Sequence, residues 1–182
     1  MKKFRTSRDV VENLINLDYE LSNMNISQKI EIVIFGGTAI LLRDSNRFTS
    51  DIDAIINLEK EDLRVRKVLH QFSVNENMRS VMEVPPFEDF YPRSVPLSIP
   101  LKNLVVRVPI VEDLIISKLF SSRQSEQDEK DLIETELLDQ ANMNKLWDMY
   151  EEYKKDVFFP MNRYNSLENI LEKRNEFKKR KK

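Results

Sequence analysis

The pattern of apolar and polar positions divides the chain into short strands and longer helices. Compact apolar runs predict three strands: Ile32–Phe35, the run around Asp51 and Asp53, and Asn103–Val108. Apolar residues at intervals of three and four, the spacing of an amphipathic helix, predict four helices: Val10–Ser22, Thr38–Arg43, Leu58–Phe72 and Val111–Ser122. Beyond residue 131 the pattern is helical throughout. The chain is therefore predicted to be α/β, with a helical C-terminal part.

Two of these helices have a predicted cap at their N-terminus. Asp9 is the candidate N-cap of the first, and Asn165, with Glu168 three residues later, is the candidate cap of a last helix. The segment from Val74 to Pro109 has no clear period. Six of the seven prolines lie between Pro85 and Pro109, which disfavours helices and central strands there. We predict an insertion of short edge strands and turns.

The stretch from Glu31 to Asn57 carries the candidate chemistry. Gly36 and Gly37 end an apolar strand and precede a helix, an arrangement whose backbone N–H groups bind phosphate. Asp51 and Asp53 are two residues apart, so on a strand both carboxylates project from one face, about 7 Å apart. Mg²⁺ favours such a pair together with substrate phosphates and water. Either feature alone is weak, since acidic strand ends and tight glycine turns are common, but together they predict a site for Mg²⁺ and phosphate.

These residues also resemble a known family. Phe35–Ala39, followed by Arg47, Thr49 and Asp51–Asp53, is similar to the nucleotidyltransferase superfamily that shares the palm of DNA polymerase β. The resemblance is strongest to the AbiEii-type nucleotidyltransferases, which include toxins of bacterial toxin–antitoxin pairs. It covers about residues 31–132 and is weakest over 74–101. It implies a small mixed, palm-like sheet with packed helices in residues 1–126, and a helical extension with a basic tail in residues 127–182.

The resemblance implies roles for the residues of the first motif. Asp51 and Asp53 would be catalytic and hold Mg²⁺ or Mn²⁺, as in two-metal catalysis. Gly36, Gly37 and the N–H of Thr38 would contact the β- and γ-phosphates of a nucleoside triphosphate. Arg47 or Lys118 would offset the charge that develops on the leaving pyrophosphate.

A second signature resembles the family further along the chain. It consists of Glu112-Asp113-Leu114, Lys118-Leu119, Arg123 and the pair Asp128 and Asp131. The resemblance implies that Lys118 is catalytic and reaches the nucleotide phosphates, and that Asp131 belongs to the nucleotide site. Two alternatives remain open: a lysine whose apolar stem covers an amphipathic helix, and an ion pair between helices with no catalytic part.

A third carboxylate, often the general base, comes from a later strand in the superfamily. Glu83, Glu88 and Asp89 are the candidates, and none lies in a recognisable pattern. Glu83 ranks first because apolar residues flank it.

The composition excludes several kinds of catalytic and metal site. With no cysteine and a single histidine, His70, the chain offers no disulfide, thiol catalysis or histidine-rich metal site. It has neither an apolar run of membrane-spanning length nor the apolar stretch of a signal peptide, so we expect a cytoplasmic protein without membrane contact.

The net charge of −2 is unevenly distributed along the chain. Residues 173–182 carry seven Lys or Arg and one Glu, so the charges of the preceding residues sum to −8. This tail is either an electrostatic contact for RNA or an acidic partner, or a solvated, partly disordered terminus.

These observations predict Mg²⁺-dependent transfer of a nucleotidyl group from a nucleoside triphosphate to a hydroxyl. The acceptor stays open between RNA such as a transfer-RNA end, a protein, and a small molecule such as an aminoglycoside; the toxin resemblance favours RNA or protein and an antitoxin partner. One alternative is a degenerate member that binds or regulates without catalysis. A sugar-nucleotide transferase also uses Asp-x-Asp, but the longer nucleotide-binding domain expected of it is absent.

Overall fold

The computed structural model describes residues 3–24, 26, 28–43, 47–57, 63–76, 80–123 and 125–181. They form two compact units, the first made of Met1–Met78 and Ser94–Pro109, the second of Arg79–Arg93 and Ile110–Lys182. This division differs from the predicted boundary between residues 126 and 127. A compact unit is defined by its internal contacts and a domain by independent folding, so the domain boundary stays a prediction.

The first unit is built on a mixed five-stranded sheet. Its strands are β1 (Ile30–Ile34), β2 (Ile52–Asn57), β3 (Val74–Asn75), β4 (Val95–Pro96) and β5 (Leu104–Val108). They lie in the order β3-β2-β1-β5-β4. Strand β1 is antiparallel to β2 and parallel to β5, β3 is parallel to β2, and β4 is antiparallel to β5. The predicted mixed α/β fold is confirmed, and the proline-rich region does supply a short edge strand, β4.

Alternation along the strands separates the two faces of this sheet. One face is apolar and buried along every long strand, with Ile32, Ala54 and Val106 as examples. The other face carries Asp53 on β2, together with buried Val33 and Ile55. In the described part of this unit, three helices accompany the sheet: α1 (Ser7–Ser22), α2 (Gly36–Leu41) and α3 (Leu63–Gln71). The Asp18 carboxylate on α1 accepts hydrogen bonds from backbone N–H groups of residues 102–104, which ties that helix to the start of β5.

The structure corrects several predicted helix ends in this unit. Helix α1 is capped by Thr6, and Asp9 is the third helical residue, whose carboxylate accepts from the Thr6 N–H in a capping box. Helix α2 begins at Gly36 and ends at Leu41, earlier at both ends than predicted. The described part of α3 begins at Leu63, and the predicted start at residues 58–62 lies outside the described residues.

The second unit is helical in its described part. Its helices are α4 (Phe87–Arg93), α5 (Val111–Leu119), α6 (Glu126–Glu134), α7 (Leu137–Gln140), α8 (Met143–Tyr153) and α9 (Leu167–Arg180). Helix α5 ends three residues before the predicted Ser122. Phe120 is fully buried and stacks on Tyr150, with 5.4 Å between ring centroids. Tyr150 and Tyr153 of α8 are both buried and belong to the core of this unit.

Helix α4 contradicts the prediction that the proline-rich segment forms short edge strands and turns. It follows Pro86, whose carbonyl accepts from the N–H groups of Asp89 and Phe90. Pro92 lies in the last turn of this seven-residue helix. Because the helix ends one residue later, the lost hydrogen bond and any bend at the proline affect only the final turn.

The basic tail is helical as far as Arg180, so the interpretation as a partly disordered terminus is wrong for its described residues. Helix α9 is capped by Ser166 rather than Asn165. Lys173 pairs with Glu129 at 2.8 Å, and Arg174 and Lys178 both pair with Asp139. Part of the positive charge of the tail is therefore neutralised within the second unit. Over the described residues, no helix is both long and apolar enough to cross a bilayer.

Candidate functional site

The two glycines of the chain stand next to each other at the start of α2. Gly36 has a φ of +60°, which L side chains rarely adopt. A Cβ built on Gly36 would overlap the Oδ2 atom of Asp53. The glycine turn and the carboxylate of Asp53, one member of the predicted pair, are therefore in direct proximity.

The loop before Asp51 lies beside the same turn, next to Gly37. A Cβ at Gly37 would lie 3.3 Å from Nη2 of Arg47 and 3.3 Å from Oγ1 of Thr49. Arg47 also donates from Nη1 to the carbonyl of Phe48 at 2.7 Å. The guanidinium is thus held beside the glycine turn, and its contact with phosphate stays a prediction.

Asp51 lies one residue before β2 and is held by two threonines. Thr38, which is fully buried, donates from Oγ1 to the carbonyl of Asp51 at 2.6 Å. The Thr49 hydroxyl lies 3.1 Å from that carbonyl and 3.4 Å from Oδ1 of Asp51. The Thr38 side chain therefore positions the Asp51 backbone, while the implied contact of its N–H with phosphate stays a prediction.

Asp53 has a partner that the sequence motifs do not mark. It pairs in parallel register with Asn75 on β3, and Nδ2 of Asn75 donates to Oδ1 of Asp53 at 2.9 Å. Asn75 belongs to no motif, and β3 has only two residues. The one local signal is a polar residue directly after the apolar Val74.

The donor set fits Mg²⁺ only together with a substrate. Mg²⁺ is commonly bound by one or two carboxylates, with phosphate oxygens and water completing its octahedral shell. Asp53 lies at the glycine turn, and Asp51, one residue before β2, would complete such a pair. In the described ranges, no three Asp, Glu, His or Cys side chains come together as a metal site. The residues thus suit a cation that arrives with, or is completed by, nucleotide phosphates.

In the second unit, Lys118 is the centre of a buried ion-pair cluster. Its Nζ lies 2.7 Å from Oδ2 of Asp131 and 3.0 Å from Oδ1 of Asp128. Asp128 also pairs with Arg123, and Asp131 accepts from Gln127 at 2.9 Å. Lys118 is only 3% exposed. This geometry supports the ion-pair alternative as a structural role, and nucleotide contacts by Lys118 and Asp131 stay predictions.

The cluster affects the titration of Asp128. Burial raises the pKa of this carboxyl, but the hydrogen bond from Arg123 and the charge of Lys118 outweigh burial, so its pKa is lowered. A lowered folded-state pKa contributes stability above the unfolded pKa, and this contribution is lost as the pH falls through the folded pKa. The cluster should therefore stabilise the second unit at neutral pH.

Replacing Lys118 by methionine tests the structural role. Methionine retains much of the apolar stem, but the change leaves two buried carboxylates short of a cation, so we expect a loss of about 3 kcal/mol in unfolding free energy. Denaturant unfolding measures this. The double change Lys118→Met with Asp131→Asn should recover part of the loss. A single variant as stable as the unmodified protein would contradict the ion-pair role.

The candidate third carboxylates all lie in the second unit. Glu83 accepts from the Tyr164 hydroxyl and from the Phe158 N–H, and it lines an open cavity of about 560 Å³. Asp89 accepts from the Tyr153 hydroxyl at 3.0 Å. Glu88 is exposed in the first turn of α4. Glu83 and Asp89 thus have structural partners, and the identity of a third catalytic carboxylate stays a prediction.

The chain matches a known protein family. The protein-family model described as "Nucleotidyltransferase of unknown function (DUF6036)" matches residues 12–182. Searches of curated proteins and of solved structures gave no match. The family confirms the predicted nucleotidyltransferase relationship, whereas the AbiEii branch stays a prediction. Because the match spans nearly the whole chain, the protein belongs to the DUF6036 family of nucleotidyltransferases of unknown function.

Proposed function

We propose that this protein catalyses Mg²⁺-dependent transfer of a nucleotidyl group from a nucleoside triphosphate to a hydroxyl of RNA or of a protein. The observation that carries the proposal is the direct proximity of the Asp53 carboxylate to the turn at Gly36. If Asp53 holds a metal ion and the turn binds phosphate, the metal ion and the phosphates would lie at one place, as nucleotidyl transfer requires. The nucleotidyltransferase family of the chain supports the same reaction class.

In this reaction the acceptor oxygen forms a bond to the α-phosphorus, and the bond from that phosphorus to the bridging oxygen of the β-phosphate breaks. The hydroxyl proton passes to a general base or to water, and pyrophosphate is released. Mg²⁺ bound by Asp51 and Asp53 would supply Lewis-acid stabilisation of the charge on the phosphoryl oxygens. Backbone N–H groups at Gly36 and Gly37 would bind the phosphates, and Arg47 would neutralise charge on pyrophosphate.

The acceptor is proposed from the resemblance to AbiEii-type enzymes. In that setting the hydroxyl belongs to RNA, such as the end of a transfer RNA, or to a protein. The protein would then be a cytoplasmic toxin whose activity is restrained by an antitoxin protein.

A catalytically degenerate binding protein is the second candidate. It is favoured by one observation: the described residues offer a carboxylate pair but no cluster of three possible metal ligands. Such a protein would bind Mg²⁺–nucleotide without turnover.

The two candidates are separated by one experiment. The purified protein is incubated with Mg²⁺ and each α-³²P-labelled nucleoside triphosphate, with total RNA or total protein as acceptor. Label on RNA that disappears when the terminal diol is first oxidised with periodate supports transfer to an RNA hydroxyl, and label on protein supports a protein acceptor. Nucleotide binding without label transfer supports the degenerate alternative, and neither binding nor transfer contradicts both.

A further inference from the structure

We infer that Asn75 is a positioning residue that sets the orientation of the Asp53 carboxylate for metal binding. This inference rests on the proposed function, because it concerns the same metal site. It adds a residue that lies outside every motif of the chain.

The geometry around Asp53 gives its two oxygens different surroundings. Oδ1 accepts the hydrogen bond from Nδ2 of Asn75 at 2.9 Å, on the side of β3. Oδ2 lies at Gly36, where even a methyl group would overlap it. The bond from Asn75 therefore turns the carboxylate so that Oδ2 is presented to the glycine turn and hence to the phosphates.

The sheet holds Asn75 in place. Asn75 and Asp53 are paired in parallel register, and the next pair along, Val74 with Ile52, is buried. The turn before β3 is fixed from α1, where Asn13 donates to the carbonyl of Phe72 at 2.7 Å. Side chains in register on neighbouring strands lie on the same face, so Asn75 has little freedom to leave Asp53.

A residue that does not itself bind the metal can donate a hydrogen bond to a metal-binding carboxylate. This bond fixes the orientation of the carboxylate before the cation binds. Without it, the carboxylate loses one of its restraints, and part of the binding free energy is then spent on ordering the ligand. Loss of such partners typically weakens metal binding or activity by about 10- to 100-fold.

The test measures Mn²⁺ binding directly, by electron paramagnetic resonance of free Mn²⁺, in the presence of a non-hydrolysable nucleoside triphosphate analogue. Asn75→Leu keeps a similar volume and removes the donor, and we expect its Mn²⁺ dissociation constant to rise at least about 10-fold. Asn75→Gln keeps an amide and should recover part of this loss. If Asn75→Leu fails to fold, Asn75→Ala replaces it with the same expectation.

Asn103→Leu is the matched control, because Asn103 is also an asparagine of the first unit, and its Nδ2 donates a hydrogen bond to a neighbouring element, at the carbonyl of Asp18. It should lower stability and leave Mn²⁺ affinity unchanged. A folded Asn75→Leu or Asn75→Ala protein with unchanged Mn²⁺ affinity would overturn the inference while the unmodified protein still binds Mn²⁺. An unmodified protein that binds no Mn²⁺ would overturn the proposed function and this inference together.

Discussion

Replacing Asp51 and Asp53 together by asparagine should lower nucleotidyl transfer by at least about 10³-fold. A bound metal contributes several kcal/mol of charge stabilisation to the transition state, and each 1.4 kcal/mol changes the rate about tenfold. Asparagine is close in size to aspartate and retains an oxygen that can accept from Asn75. Removing two neighbouring negative charges should leave thermal stability unchanged or slightly raised. The rate of label transfer and the melting temperature measure the two effects.

The control removes the same amount of charge elsewhere. Asp148 and Glu152 are exposed on α8, and changing them to Asn and Gln should leave the transfer rate unchanged. If the Asp51 and Asp53 variant is folded and transfers label as fast as this control, the catalytic assignment of the pair is wrong.

Gly36→Ala should damage both the fold around the turn and the site itself. Alanine at a φ of +60° costs about 1–3 kcal/mol. Its Cβ would also overlap the Asp53 carboxylate, which must then move. Displacement of a catalytic group by about 1 Å can cost about 10²-fold in rate, so we expect a loss of at least that size in transfer. Urea unfolding and label transfer measure the two effects.

Gly37→Ala is the matched control for this change. It adds the same methyl group one residue later, where the nearest atoms are 3.3 Å away and belong to the side chains of Arg47 and Thr49. We expect a smaller loss of both stability and rate, because these side chains can shift by a few tenths of an ångström. Equal losses in the two variants would show that the overlap with Asp53 is not the cause.

The sequence alone determined the elements that form the candidate site. An apolar run, two glycines and a second run with Asp-x-Asp predict strand, turn, helix and strand, because each signal acts within a few residues of itself. The nucleotidyltransferase relationship followed from the same stretch. Helix ends were less certain: Thr6 and Asp9 are both good cap residues, and only the capping-box bonds show which of them is the cap.

The tertiary structure decided which distant residues meet. Asn75 lies 22 residues after Asp53. Its strand has only two residues, which is too short to show an alternating pattern, so the sequence does not predict that Asn75 pairs with Asp53. The proline-rich segment likewise folds into α4 because Pro92 falls in the last turn, a position that proline content by itself does not reveal.

The ion pairs of Lys118 likewise could not be predicted from the sequence pattern. Its helical spacing predicts a lysine with a defined direction, but burial and the two carboxylates of α6 are properties of the packed second unit. Local patterns arise from steric and hydrogen-bonding preferences of neighbouring residues. Strand register and ion pairing depend on the free energy of burying distant segments against each other. This free energy depends on the packing of the whole folded chain, so local patterns do not predict it.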